Sequence, residues 1–289
     1  MKEIALKEKE LLKLKKYPLK NIISTESYIY YYKKDIEFNN ILLKKFHRTD
    51  QDIIERKERT IETIQKSNLK DYDELVIPKD IVTISGIKSG FTIKEVTNNT
   101  NLHIYLNDKK IKSEEKLEIL KKIGLLLKKT QHQNQEFYFS DLQDYNFLVD
   151  NNKKIYAVDL DSSAVRTDKT IACKYIILDD KTRGLKKYKT NSSGEVYPNH
   201  EVDNYCFNTM VLNYLSTTPI NRLSFEEYSS YLDYLLETNM ISNNIYNILI
   251  NQYTNKYTES IIDHFDEINR NTGRASYKVY KLYKEKIHN

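Results

Sequence analysis

The feature that most restricts the fold of this chain is a change of pattern near Val96. Before it, short runs rich in β-branched and aromatic residues alternate with turn-forming clusters. After it, apolar residues recur every three or four positions over stretches too long for strands. "NIISTESYIYYYKKDIEFNNILLKKF", Asn21 to Phe46, reads as two or three antiparallel strands, and "DELVIPKDIVTISGIKSGFTIKEV" as more, with Gly86 and Gly90 in or beside a tight turn. Between them "TDQDIIERKERTIETIQ" predicts one helix, with Asp50 or Thr49 as N-cap and Ile54, Ile61 and Ile64 on one face. Met1 to Lys16 place Leu and Ile among Lys and Glu at helical spacing, which predicts a short surface helix or frayed arm ended by Pro18. Strands gathered in front and helices behind define an α+β chain.

In the rear portion, "SEEKLEILKKIGLLLKKT" carries Leu117, Leu120, Ile123 and Leu127 on one stripe with Ser113 as N-cap. Helical patterns return in "VDNYCFNTMVLNYL", "FEEYSSYLDYLLETN" and "YTESIIDHFDEI". At 289 residues the chain suits one large domain or two lobes sharing a cleft, and one catalytic unit is the expectation. The formal charge of +5 is small and scattered, so nucleic-acid binding is not indicated. No apolar run approaches the roughly 20 residues of a bilayer span, and the opening residues carry Glu and Lys where a secretory signal has an apolar core. The expectation is a cytoplasmic protein without a membrane partner. Two cysteines and six histidines at unsuitable spacing argue against a thiolate or imidazole metal site.

The chemistry concentrates in "FYFSDLQDYNFLVDNNKKIYAVDLDSS", Phe137 to Ser163. Asp141 and Asn146 are five positions apart, but Asp35/Asn40, Asp203/Asn208 and Asp266/Asn271 share that interval, so the spacing alone carries nothing. Context separates them. Only Asp141 follows a long apolar helix and precedes a hairpin, "NFLV" and "KIYAVDL" around "DNNKK", that delivers a further carboxylate at Asp159. Oxygen ligands of this kind suit a hard cation completed by phosphate and water.

"SDLQDYN" and "AVDLDS" resemble the catalytic loop and the metal-binding Asp-Phe-Gly segment of the protein kinase-like superfamily, which includes protein kinases and the aminoglycoside and choline phosphotransferases. The resemblance implies a bilobal fold: an arm over residues 1–20, an N-lobe over 21–93 with a small antiparallel sheet and one main helix, a hinge over 94–102, and a mainly helical C-lobe over 103–289. It implies ATP and Mg²⁺ as cofactors. Asp141 would orient the attacking hydroxyl and accept its proton, while Asn146 and Asp159 would hold the metal. The strand lysine for the nucleotide phosphates would be Lys44 or Lys45, with Lys44 preferred, paired with a helix glutamate, Glu58 in preference to Glu62. Ile93 would stand at the gatekeeper position, with Lys94, Glu95 and Val96 as the hinge against adenine. Asp203 in "DNYCFN" is similar to the aspartate opening the helix that anchors the large lobe of protein kinases.

Several positions depart from that pattern. No glycine precedes Gly86, so "ISTES" stands where a glycine-rich phosphate loop is usual. Phe139 and Ser140 replace His and Arg, Gln143 replaces the lysine of protein-serine kinases, and Asp161 replaces the glycine after the metal aspartate. Ser162 to His200 would be the activation segment, with Thr190, Ser192 and Ser193 as candidate phosphorylation sites. The leading expectation is a serine/threonine protein kinase with a protein substrate. The alternatives are a pseudokinase scaffold and a kinase acting on a small-molecule acceptor.

Overall fold

The computed structural model describes residues 1–18, 26–33, 40–48, 50–166, 168, 171–172, 195–216, 220, 223–254, 257–270, 280–281 and 285. It is an α+β chain that divides into two compact units, Met1–Asn99 with Asp150–Ser163, and Thr100–Val149 with Ala164–Asn289. The segment Asp150–Ser163 groups with the front unit, which a simple front-and-rear division at residue 103 does not provide.

The first unit is built on a five-stranded sheet. Its strands are β1 (Glu3–Leu6), β2 (Ser27–Lys33), β3 (Ile41–Phe46), β4 (Ile81–Ile84) and β5 (Ile87–Lys94), in the order β1-β4-β5-β3-β2. The expected antiparallel sheet is mixed instead, because β1 pairs parallel to β4 while the other neighbours are antiparallel. The helix expected over Met1 to Lys16 is likewise replaced by β1 and a four-residue helix, Glu8–Leu11. Ile4 and Leu6 alternate with exposed neighbours, the two-residue period of a strand, and pack on a cluster of Tyr30, Leu43, Val82 and Ile84.

The opposite face is covered by α2 (Gln51–Lys66), whose Ile54 and Ile61 meet Phe46, Ile81 and Phe91. Asp50 caps this helix by accepting the amides of Asp52 and Ile53. With both faces covered, β3 is buried from Ile41 through Lys44. Ser85 and Gly86, both at positive φ, form the two-residue turn between β4 and β5. Gly90 lies against the carbonyl of Lys44 so closely that a Cβ would overlap it, so this position must be glycine for β5 to pair with β3.

The later segment joins this unit through backbone bonds: the Val76 amide donates to the Ala157 carbonyl at 2.9 Å, and the Ala157 amide to the Glu74 carbonyl at 2.7 Å. Strands Phe147–Asp150 and Ile155–Ala157 flank a turn in which the Asp150 carboxylate accepts the amides of Asn152 at 2.9 Å and Lys154 at 2.8 Å.

The second unit is mainly helical, with α3 (Leu102–Asn107), α4 (Ser113–Gln133), α5 (His200–Ser216), α6 (Phe225–Glu237) and α7 (Asn243–Thr254). Leu117, Leu120, Ile123 and Leu127 form the buried stripe of α4. Lys112, not Ser113, holds the N-cap position and gives no side-chain cap. Gly124 lets Phe207 and Ile262 close on α4: an added Cβ would sit 2.5 Å from the Phe207 ring. Helix α5 is buried almost all round, its polar Asp203, Asn204, Asn208 and Thr209 included. Among the described residues no helix is long and apolar enough to cross a membrane.

Candidate functional site

Two constellations carry the polar chemistry, one in each unit. In the first unit, strand alternation puts Leu42, Lys44 and Phe46 on the α2 face, and the Lys44 ammonium lies 5.6 Å from the centre of the Phe46 ring. Lys45 points the other way and donates to the Phe46 carbonyl at 3.1 Å. Of the two candidate lysines, Lys44 is the buried one.

Lys44 forms an ion pair with Asp159 and a second with Asp161 at 2.6 Å. Asp161 is shared: its other oxygen accepts from Lys57 of α2 at 2.9 Å. Lys57 also reaches the Ser162 hydroxyl at 3.2 Å, which itself donates to Asp159 at 3.2 Å. Arg56 donates to the Ser163 carbonyl at 3.5 Å. Burial opposes charge on both Lys44 and Asp161, but the facing opposite charges outweigh it. The carboxylates of Asp159 and Asp161 raise Lys44 above the usual lysine range, and Lys44 with Lys57 holds Asp161 well below the usual carboxylate range.

Neither expected glutamate meets Lys44. Glu58 pairs with Lys88 at 2.6 Å, and Glu62 with Lys66 at 3.2 Å, one turn along the helix. The reason is angular. At about 100° per residue, Lys57 falls in the middle of the buried arc that runs from Ile54 through Ile61 and Ile64 to Thr60, whereas Glu58 lies about 40° beyond Ile54, outside it. Glu58 is therefore carried off that face. The signal for Lys57 was present in its place on the apolar stripe; Asp161 was legible only as a missing glycine.

At the edge of β5, Ile93 is half-buried and pairs with Leu42, while Lys94 is exposed and pairs with Ile41. The Glu95 amide donates to the Asn40 carbonyl at 3.1 Å, and its carboxylate accepts from the Asn40 side chain. The Val96 carbonyl accepts from the Asn99 side chain. Burial, with Glu95 close by, pushes the Tyr17 hydroxyl up to about 12. These backbone groups are thus braced by local partners.

In the second unit, Asp141 and Asn146 are brought together. The Asn146 amide group donates to the Asp141 carboxylate at 3.0 Å and to its carbonyl at 2.8 Å, and Gln143 donates to the same carboxylate oxygen at 2.7 Å. The loop is anchored from α5, where Asp203 accepts the Phe139 amide at 2.9 Å and the Ser140 amide at 2.7 Å. Burial pushes the Asp203 carboxyl up to about 7, with the two amide bonds pulling the other way. Ser140 and Asp159 both take left-handed backbone, with φ of 63° and 65°. Such conformations in non-glycine residues are costly and collect at functional sites.

The donor set bears on a metal. Asp159 is 32% exposed, and its second oxygen accepts only the Ser162 hydroxyl among the bonds described, so it suits a hard cation. Asp161, 1% exposed, has both oxygens committed to ammonium groups. Asn146 keeps Oδ1 outside its bonds to Asp141. Among the described residues no group of three or more His, Cys, Asp or Glu side chains is arranged to hold a metal. Thr190, Ser192 and Ser193, and residues 23–25 of "ISTES", lie outside the described residues. No protein-family model matches the chain, and no curated protein matches its sequence.

Proposed function

We propose that the protein is an ATP- and Mg²⁺-dependent phosphotransferase of the bilobal protein kinase-like type, acting on a serine or threonine hydroxyl of a protein. The observation that carries this reading is the ion pair between the buried Lys44 and the partly exposed Asp159, 115 positions apart in the chain. Burying charges is expensive unless they serve each other, and this pair joins the residues assigned to the phosphates and the metal. The left-handed backbone at Asp159, and the Asp141 carboxylate held by Gln143 and Asn146, support the same reading.

In this mechanism Asp141 orients the acceptor hydroxyl and takes its proton as the oxygen bonds to the γ-phosphorus and the bond to ADP breaks. Lys44 would hold the non-transferred phosphates, and Asn146 and Asp159 would be the residues that hold the cation. Mg²⁺, when bound, offsets charge on the phosphate oxygens. Most of the rate enhancement would then be positioning and charge compensation, for which the retained Asp141, Asp159 and Lys44 count for more than the departures at Phe139 and Gln143.

Incubation with labelled ATP and Mg²⁺, followed by mass-spectrometric mapping of modified residues, tests the proposal. Asp141→Asn and Asp159→Asn should each reduce incorporation by about 100-fold or more. Undiminished labelling in Asp159→Asn refutes the metal assignment. A second reading, a nucleotide-binding scaffold without transfer, is favoured by the absence of glycine before Gly86. It predicts an ATP-induced rise in melting temperature without incorporation.

A further inference from the structure

We infer that Asp161 is the positioning residue for Lys44, doing from the metal-binding segment what a helix glutamate would otherwise do, while the helix contributes a lysine. This inference rests on the phosphotransferase reading and adds to it the residue that keeps the phosphate-binding lysine in place.

The charges require it. Lys44 and Lys57 are each 5% exposed, and two ammonium groups share this interior with the carboxylates of Asp159 and Asp161. Glu26 approaches Lys57 only at 3.9 Å and is mostly exposed. Of the two aspartates, Asp159 is the accessible one and the one assigned to the cation. With its oxygens given to a metal, Lys44 would keep, among the described residues, Asp161 as its counterion, at 2.6 Å. Lys57 and Ser162 fix the other side of this segment, so α2 holds Asp161 and Asp161 holds Lys44. The polarity of the helix contact is inverted, yet the ammonium group is positioned by a carboxylate on each arrangement.

Removing Asp161 alone strands two buried cations with a single carboxylate and threatens folding. Two double variants avoid this. Lys57→Gln with Asp161→Asn removes one charge of each sign and leaves Lys44 on Asp159. Lys57→Glu with Asp161→Asn returns a carboxylate to Lys44, now from the helix. Both are measured against wild type for ATP KM, kcat and melting temperature. The inference expects the Gln/Asn protein to melt near wild type with an ATP KM raised at least about tenfold, and the Glu/Asn protein to recover most of that loss. Equal KM values in the two double variants, or a wild-type KM in the Gln/Asn protein, would show a purely structural charge cluster and overturn the inference alone. Wild-type protein that neither labels nor rises in melting temperature with Mg-ATP fails the phosphotransferase reading itself and takes this inference with it.

Discussion

Replacing Asp203 by Asn tests how the loop that carries Asp141 is held. The wild-type carboxyl accepts two buried amides, from Phe139 and Ser140, and is itself 1% exposed. Asparagine keeps one acceptor oxygen and turns an NH₂ group toward the other amide, leaving a buried donor unpaired at a cost of about 1–3 kcal/mol. A second contribution depends on pH. Burial raises the folded-state value from 3.8 to about 7, so between those limits the folded protein holds a proton that the unfolded chain has released. The stabilisation from this group is fully present below the lower value and is lost as pH rises through the upper one. Between pH 5 and pH 8 the loss is about 2–3 kcal/mol, at about 1.4 kcal/mol per pK unit. Asparagine does not titrate, and other groups are common to both proteins. The stability gap between wild type and Asp203→Asn should therefore be larger at pH 5 than at pH 8. Urea unfolding at the two pH values measures it, followed by tyrosine emission, since the chain has 24 Tyr and no Trp. A gap that stays constant or widens at pH 8 would refute the reasoning, because it would mean that the Phe139 and Ser140 amides keep the carboxylate ionised throughout.

Gly90→Ala forces a Cβ into the Lys44 carbonyl and must part β5 from β3; a loss of about 1–3 kcal/mol is expected by urea unfolding, with a weakened melting response to Mg-ATP. An unchanged protein would show that the two strands separate freely at this point. Glu58→Gln breaks only a partly exposed pair with Lys88, so it should cost less than about 1 kcal/mol and alter ATP KM far less than the Gln/Asn double variant does. A KM rise as large as that variant's would restore Glu58 to the lysine's surroundings.

Much of the secondary structure could be read from local pattern, because amphipathic period and capping are local properties. The helix over Gln51–Lys66, its Asp50 cap, the Ser85–Gly86 turn and the stripe of α4 all follow from residues within a few positions of each other. The juxtaposition of Asp141 with Asn146 was legible for the same reason. What escaped depends on distant partners. Four residues at Glu3–Leu6 are too short to reveal a strand, and their partner Ile81–Ile84 lies far along the chain. Charged residues are normally read as solvated, which hid Lys57 among the isoleucines of α2, and nothing near Asp161 reveals that two ammonium groups will meet it.

The front unit is not contiguous in the chain, and that has a consequence for how it is made. Synthesis delivers β1 to β5 and α2 while the segment with Asp159 and Asp161 is still missing, so two ammonium groups destined for an apolar interior wait without their neutralising partners. Until residue 163 has emerged, this half has reason to stay open. A fragment ending at residue 99 should therefore be less stable than the same unit completed by residues 150–163, which follow only after the rear unit's first fifty residues.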